Sequence, residues 1–345
     1  MLRQKPIRVL IVDDSPTVQS VLTSILSGKA DIEVVGAASE PFEAKDMIVE
    51  KKPDVITLDI EMPRMDGITF LKRLVSFLPL PVIMISSYTH ENSMRTMEAL
   101  DAGAFDFVAK PTLDPGSGLW KLEHEIVAKI RAAAGSKIKP SVMLGKPKGP
   151  LPSAQTRGLD KIIAIGASTG GTRAIQTVLG SLPFDIDGVV IVQHMPARYT
   201  KTFADHLNVL FPMDISEAED GDRLDRGKVL MAPGGWHITL DKDHKGYFVR
   251  LQNSRQVKHQ RPSVDVLFHS VAKTAAGNAI GVLLTGMGDD GADGLLAMKK
   301  AGAFTIAQDE ATSVVFGMPG AAVERGATDV VAALEDIAGI VISRL

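Results

Sequence analysis

The sequence has 345 residues, 45% of them hydrophobic and 23% charged, with a formal net charge of -3. This length allows two domains, and the small net charge gives no electrostatic basis for binding nucleic acid, which favours strongly basic surfaces. The absence of cysteine excludes disulfides, thiolate zinc sites and cysteine nucleophiles. No apolar run approaches the roughly 20 residues of a membrane helix and no signal-peptide pattern opens the sequence, so we expect a cytoplasmic protein without membrane insertion.

The first part of the chain alternates short apolar runs with amphipathic stretches. Residues 7–12 predict a buried strand, and apolar residues between Val18 and Ile25 recur at the spacing of one helix face. Further strands are predicted at 32–38, 55–58, 82–85 and 105–109, and a last amphipathic helix at 122–130. Five strands alternating with five helices predict a parallel sheet covered on both faces.

A second α/β domain follows a proline-rich stretch. Residues 134–158 contain four prolines and several glycines, which predicts an interdomain linker between a first domain at 1–133 and a second at 159–345. In the second domain, strands are predicted at 162–167, 189–192, 228–232, 247–251, 279–284 and 304–307. They indicate another parallel or mixed sheet with helices on both faces, more β-rich and less regular over 212–260.

Polar residues follow four of the predicted strands in the first domain. Asp13 and Asp14 end the first strand, and Asp59 ends the third. The carboxyl ends of parallel strands share one crevice, so these acids should converge around a cation, for which hard oxygen ligands favour Mg²⁺. Ser86 and Lys110, at two further strand ends, are suitable partners for an anion attached to Asp59. A single acid after a strand is usually a cap or turn residue, but several on separate strand ends indicate a site.

Residues 7–133 resemble a response-regulator receiver domain, most specifically in the run DIEMPRMDG at 59–67. The resemblance implies a flavodoxin-like fold with a five-stranded parallel sheet, and a histidine kinase as phosphodonor. The roles it implies are a phospho-acceptor at Asp59, a Mg²⁺ site of Asp13, Asp14, Asp59 and the Glu61 carbonyl, phosphoryl contacts from Ser86 and Lys110, and a switch aromatic at Phe107. Strand alternation and the family spacing favour Ser86 over Ser87 for the hydroxyl contact.

In the second domain, a serine stands in a glycine-rich turn between a predicted strand and a predicted helix. In one interpretation, Gly166 and Gly170 allow a tight bend that presents Ser168 as a nucleophile at a helix N-terminus. In the other, the glycines hold a phosphate or dinucleotide. The dinucleotide pattern needs glycine where Ser168 stands and an acid after the next strand, where this sequence has Gln193 and His194.

A histidine and an acid complete a possible hydrolase constellation. His194, at the end of the neighbouring strand, is placed to act as general base on the Ser168 hydroxyl. The third partner should lie in the turn after strand 279–284, where Asp289 and Asp290 stand side by side and spacing does not choose between them. An Asp there often caps a helix, but serine, histidine and aspartate on three strand ends are what acyl transfer requires. No metal-ligand spacing occurs, so we do not expect a zinc hydrolase.

Residues 160–345 resemble the catalytic domain of chemotaxis protein-glutamate methylesterases. The matching motifs are IGASTGG at 165–171, VQHMP at 192–196, APGGWH at 232–237, PSVDVLF at 262–268 and LTGMG at 284–288. The resemblance implies a doubly wound, Rossmann-like α/β/α hydrolase domain that needs no cofactor for the esterase reaction. The roles it implies are Ser168 as nucleophile, His194 as base, Asp290 as the orienting carboxylate, the Met287 N–H in the oxyanion hole, and Thr169 lining the site.

The family implies hydrolysis of glutamate γ-methyl esters on chemoreceptors, with deamidation of specific glutamines by the same attack. His237 is predicted to be structural, and Arg261 is a candidate contact to an acidic substrate. The competing interpretation is a phosphorylation-regulated binding module without catalytic activity. Two modes of control remain open, a receiver that blocks the cleft and one that recruits substrate.

Overall fold

The computed structural model describes residues 5–87, 89–110, 118–136 and 161–345, without the side chains of His90 and of residues 118–121. The chain divides into two units, Met1–Leu144 and Gly145–Leu345. Most of the predicted linker, from 137 to 158, lies outside the described residues. The last helix of the first unit extends to Gly135, past the predicted boundary at 133.

The first unit contains one parallel sheet in the strand order β2-β1-β3-β4-β5. Its elements are β1 (Ile7–Val12), α1 (Pro16–Ser27), β2 (Ile32–Ala38), α2 (Pro41–Lys51), β3 (Val55–Asp59), α3 (Gly67–Phe77), β4 (Val82–Ser86), α4 (His90–Asp101), β5 (Asp106–Ala109) and α5 (Gly118–Gly135). Helices cover both faces of the sheet, which explains why β3 and β4 are buried along their whole length. The predicted flavodoxin-like fold is confirmed.

Strand register brings the first unit's acids together. In the parallel pair β1–β3, Val12 lies opposite Leu58, so Asp13 and Asp59 occupy the next positions at the carboxyl edge. The loop after β3 returns close to its start, where the Gly67 N–H donates to the Ile60 carbonyl over 2.9 Å. A Cβ on Gly67 would lie 1.9 Å from the Asp59 carbonyl oxygen, so this return requires glycine.

The second unit contains a seven-stranded parallel sheet, in the order β14-β13-β12-β6-β7-β9-β8, and a separate antiparallel hairpin of β10 and β11. Its elements are β6 (Ile162–Ala167), α6 (Gly171–Leu179), β7 (Val189–Gln193), α7 (Tyr199–Leu210), β8 (Asp214–Glu217), β9 (Lys228–Met231), β10 (His237–Asp243), β11 (Gly246–Gln252), α8 (Val264–Thr274), a 3-10 turn (Ala276–Asn278), β12 (Ala279–Leu283), α9 (Ala292–Lys300), β13 (Phe304–Gln308), α10 (Met318–Glu324), β14 (Val330–Ala332) and α11 (Leu334–Ile342). The predicted doubly wound α/β class is confirmed.

The chain changes direction across this sheet at β6. β7 pairs with one side of β6 and β12 with the other, and ligands of open α/β sheets bind at such a switch point, beyond the carboxyl ends of the strands. Glycine at 166 also lets α8 pack over β6, because a Cβ there would lie 2.2 Å from Val264 Cγ1. The N-terminus of α8 therefore lies close to the same edge.

None of the helices within the described ranges combines the length and apolarity that crossing a bilayer requires.

Candidate functional site

An acidic cluster lies at the carboxyl edge of the first sheet. Carboxylate oxygens of Asp13, Asp14 and Asp59 all lie within 4.8 Å of one another. The Lys110 ammonium is 2.7 Å from Asp59 Oδ2 and 3.2 Å from Asp13 Oδ2. Four of the residues predicted from strand ends are thus in one place.

The charges in this cluster are incompletely balanced. Burial raises the pKa of Asp59 to about 6, and the nearby Asp13 adds to this effect, while the hydrogen bond from Lys110 opposes it. Burial disfavours the charge on Lys110, but Asp59 and Asp13 outweigh it and raise the Lys110 pKa. Three carboxylates face a single ammonium, and carboxylate oxygens are hard ligands. The cluster therefore fits a divalent cation such as Mg²⁺.

The other predicted receiver residues have different surroundings. Ser86 follows Ile85, which pairs with Asp59 across the strands, and its buried hydroxyl lies 2.7 Å from Thr96 Oγ1. The Phe107 ring is buried, with the Lys129 ammonium 5.2 Å from its centroid. Among the described residues, Lys110 is therefore in hydrogen-bonding contact with Asp59, whereas the Ser86 hydroxyl contacts Thr96. The Glu61 side chain is exposed, and its predicted role concerns only the backbone carbonyl.

In the second unit, Ser168 lies in a tight turn from β6 into α6. Its N–H donates to the Thr285 carbonyl over 3.0 Å, and its own carbonyl accepts the Gly171 N–H over 2.7 Å. Gly170 caps the helix in the left-handed region, at φ +75°. A Cβ on Gly170 would also lie 2.6 Å from the Val314 side chain, so the bend requires glycine.

His194 lies beside this serine and contacts an aspartate. Ala167 pairs with Gln193 in the register of β6 and β7, so Ser168 and His194 occupy the next positions on neighbouring strands. His194 Nε2 lies 2.8 Å from Asp290 Oδ2. The carboxylate can only accept, so Nε2 carries the proton and Nδ1 is the basic nitrogen. Nδ1 is buried and has no hydrogen-bond partner among the described residues.

The Asp290 carboxylate is held at the N-terminus of α8. Its Oδ1 accepts from Ser263 Oγ over 2.8 Å and from the Asp265 N–H over 3.1 Å, and Oδ2 accepts from the Val264 N–H over 2.7 Å. Burial favours the neutral acid, but the donors, led by His194, outweigh it and lower the Asp290 pKa to about 2. Asp290 is therefore ionised at neutral pH and can only accept a hydrogen bond from the imidazole beside it.

The neighbouring Asp289 has a different environment. Its side chain is only partly exposed and forms ion pairs with Arg325 and, at 3.3 Å, with Lys258. The hydrogen bond from Arg325 is the main cause of its lowered pKa. The contact with His194 therefore favours Asp290 over Asp289 as the orienting acid.

Two backbone N–H groups close to the serine, those of Thr169 and Met287, are candidate donors to an oxyanion. A Cβ on Gly286 would lie 2.7 Å from Ser168 Cβ, so the turn that contains Met287 packs directly against the serine. Thr285 Oγ1 donates to the Thr169 carbonyl over 3.0 Å and joins this turn to the residue after Ser168. Within the described ranges, the N–H groups of Thr169 and Met287 have no acceptor. They are suitable donors to an oxyanion.

His237 contacts Ser263, one of the residues that hold Asp290. It is completely buried, accepts the Ser263 N–H at Nδ1 over 3.1 Å, and donates from Nε2 to the Arg255 carbonyl over 3.0 Å. These contacts agree with a structural role. Arg261 Nη1 donates to Asn253 Oδ1 and to the Ser254 carbonyl, both over 2.7 Å. Its predicted contact with an acidic substrate stays a prediction.

Sequence reasoning missed two supporting residues, Ser263 and Gln193. Both lie in motifs that were recognised, but each contact depends on residues distant in the chain. Ser263 is 27 positions from Asp290, and Gln193 is 25 positions from Ser168. Ser263 also caps α8, as its position before the helix indicates, and a helix cap alone gives no sign of a bond to the acid.

Comparisons with known proteins match both units. The family model described as CheB methylesterase matches residues 163–341, and the response regulator receiver domain model matches residues 9–116. The protein-glutamate methylesterase/protein-glutamine glutaminase of Sulfurimonas denitrificans is 49% identical over 340 residues, 96% of each chain. The protein of the same name from Syntrophotalea carbinolica is 48% identical, covering 99% of this chain and 98% of its own. The crystal structure of the Thermotoga maritima CheB methylesterase catalytic domain matches with 37% identity and a TM-score of 0.53, covering 54% of this chain and 98% of that domain.

Proposed function

This chain belongs to the CheB methylesterase family, with a receiver domain ahead of the catalytic domain, and we propose that it hydrolyses glutamate γ-methyl esters on chemoreceptors under the control of phosphorylation. The curated relatives also carry glutaminase in their names, and we extend the proposal to deamidation of receptor glutamines. The observation that carries it is the 2.8 Å contact between His194 and Asp290, which follow the two strands on either side of the Ser168 strand. The substrate groups would lie on the cytoplasmic helices of the receptors.

Acylation begins at the serine. Ser168 Oγ attacks the γ-carbonyl carbon of the methyl ester while His194 Nδ1 takes the hydroxyl proton. The tetrahedral intermediate then expels the methoxy group, which receives that proton from His194 and leaves as methanol. With a glutamine side chain the same steps release ammonia. Asp290 stabilises the imidazolium that exists between the two proton transfers.

Deacylation repeats the steps with water. His194 takes a proton from water as its oxygen bonds to the acyl carbon, and the Ser168–acyl bond breaks as the serine regains a proton. The products are a glutamate carboxylate and free enzyme. The N–H groups of Thr169 and Met287 would donate to the oxyanion in both halves, each contributing about 3 kcal/mol to transition-state stabilisation. No step requires an organic cofactor.

Regulation would begin at the acidic cluster of the first unit. Asp13, Asp14, Asp59 and the Glu61 carbonyl would hold Mg²⁺, which when bound neutralises charge on a phosphoryl group. An Asp59 oxygen would attack the phosphorus of a phosphohistidine on the kinase, and the phosphorus–nitrogen bond would break. Lys110 would pair with the new phosphoryl oxygens, the Ser86 hydroxyl would leave Thr96 to join it, and Phe107 would repack.

Covalent labelling of the serine tests the enzymatic proposal. A fluorophosphonate reagent should add one adduct to the whole chain, located at Ser168 by mass spectrometry and absent from Ser168→Ala. Failure of the wild-type protein to react would favour the alternative, a phosphorylation-regulated binding module without a working triad.

A further inference from the structure

The side chain of Gln193 joins the two turns that carry the proposed nucleophile and base. Gln193 is the last residue of β7 and is 3% exposed. Its Nε2 donates to the Ser168 carbonyl over 2.9 Å and to the His194 carbonyl over 3.2 Å. Since both partners are carbonyl oxygens, the amide nitrogen must face them, which fixes the orientation of the carboxamide.

The neighbouring helix leaves space for this side chain. A Cβ on Gly171 would lie 2.2 Å from Gln193 Oε1 and 3.1 Å from its Cδ. The last glycine of the IGASTGG motif, Gly171, is therefore needed for space, whereas Gly170 is also needed for its positive φ. Gly171 and Gln193 belong to different motifs, and only the fold places them together.

The ordinary strand ladder ends just before the reacting residues. The last pair of β6 and β7 is Ala167 with Gln193. Beyond it, the His194 N–H donates to the Ala167 carbonyl over 3.1 Å, and the Gln193 carboxamide bonds to both turns. Each turn then leads in a different direction, into α6 or along the 195–198 loop.

We propose that Gln193 is a positioning residue for the hydrolase reaction, holding the Ser168 and His194 backbones in one frame so that Nδ1 can approach the Ser168 hydroxyl during the reaction. The proposal rests on the proposed function, because it assigns a task within that same site. Gln193 touches neither reacting atom. Its effect should therefore fall on the chemical step rather than on substrate binding, and misplacement of reacting groups by about 1 Å can cost roughly 100-fold in rate.

Two substitutions of similar size test the proposal in the whole chain. Gln193→Leu removes the donor, and Gln193→Glu replaces it with a carboxyl that donates only when protonated. We expect kcat for ester hydrolysis and the rate of fluorophosphonate inactivation to fall about 100-fold in Gln193→Leu, with KM changed less than about threefold. In Gln193→Glu, a buried carboxyl facing two carbonyls should protonate readily, so its inactivation rate relative to wild type should rise as pH falls from 8 to 6. The same ratio for Gln193→Leu should stay constant.

Gln308→Glu provides a matched control. Gln308 is the last residue of β13 and is also buried, but it accepts the Thr285 N–H at Oε1 over 2.8 Å and donates to the Thr312 carbonyl. A glutamate there keeps the acceptor and still costs the burial of a carboxyl. We expect a loss of stability comparable to that of Gln193→Glu and a much smaller loss of inactivation rate, less than about fivefold.

The outcomes separate this proposal from the proposed function. A wild-type chain that never reacts with the phosphonate would contradict the serine hydrolase itself. If the wild-type chain reacts and Gln193→Leu reacts equally fast, Gln193 has no positioning role. Losses that follow the folded fraction by circular dichroism, with a pH-independent ratio in Gln193→Glu, would mean that Gln193 only stabilises the fold, which also overturns the proposal.

Discussion

At the scale of single residues, the two nitrogens of His194 have different tasks. Nε2 is hydrogen-bonded to Asp290, which fixes the tautomer and the ring orientation, and Nδ1 is the nitrogen that the proposed mechanism uses as the base. Asp290→Asn offers an amide that can donate to Nε2, which would move the imidazole proton to Nδ1 and remove the base. We predict a fall in kcat of about 1,000- to 10,000-fold, measured as methanol release from a methylated receptor preparation.

Asp289→Asn is the matched control for that substitution. It removes one partly exposed charge that pairs with Lys258 and Arg325, and ion pairs near the protein surface contribute little. Activity should stay within about threefold of wild type. Equal losses in the two variants would contradict the assignment of Asp290.

Asp59 gives a prediction about pH and stability. Burial raises its pKa from 3.8 to about 6, so in this interval the folded receiver binds a proton more readily than the unfolded chain. The free energy of unfolding should therefore fall as pH rises through this interval, and the Asp59 contribution to this fall is complete above pH 6. Without Mg²⁺, Asp59→Asn should raise the free energy of unfolding of the receiver by about 2 to 3 kcal/mol at pH 7.5 and by less at pH 4.5. Urea unfolding measures both values, and an effect independent of pH would contradict the account.

At the scale of elements, the loop between β3 and α3 depends on Gly67. A Cβ there would lie 1.9 Å from the Asp59 carbonyl oxygen, a backbone atom that cannot move aside without moving Asp59 itself. We predict that Gly67→Ala destabilises the receiver by about 2 to 4 kcal/mol and slows phosphorylation by a small-molecule phosphodonor more than about tenfold. Gly135→Ala, with no neighbour within 4 Å of the added carbon, should change neither by a measurable amount. Normal phosphorylation of Gly67→Ala would show that the loop adapts.

The strands also show how much of the fold could be predicted from the sequence. Strands buried on both faces, such as β6 and β12, are continuous apolar runs and were predicted. The strands β8, β10 and β14 were missed, because β8 is a short edge strand, β14 has three residues, and β10 carries polar residues in a hairpin outside the main sheet. Residues 247–251 were predicted as part of the main sheet, and that was wrong, since β11 forms a separate two-stranded sheet with β10.

In the candidate site, too, some residues could be predicted from the sequence and others could not. Ser168, His194 and an aspartate at 289 or 290 could be placed together from the sequence, because each follows a strand and the strand-end rule brings such residues together. The choice of Asp290 over Asp289 rested on the family resemblance. The donors that hold Asp290 could not be predicted, because they come from the start of α8. That helix packs over β6 only because residue 166 is a glycine and has no side chain. The rotamer of Ser86 likewise depends on a contact with Thr96 on α4 that no periodicity reveals.

At the scale of the whole molecule, the receiver is expected to restrain the hydrolase. Phosphorylation adds close to two negative charges at Asp59, and only a surface with two arrangements of similar energy converts that change into activation. We predict that a fragment from Gly158 to Leu345 hydrolyses substrate faster than the unphosphorylated whole chain. A fragment no faster than the whole chain would mean that the receiver acts by recruiting substrate.

The measurement that tests the account most directly is methanol release from methylated chemoreceptor membranes by the whole chain, with and without a small-molecule phosphodonor and Mg²⁺. We predict methanol release that the phosphodonor accelerates in the wild-type chain but not in Asp59→Ala. Ser168→Ala should remain folded and release no methanol. Methanol release by Ser168→Ala at the wild-type rate would contradict it.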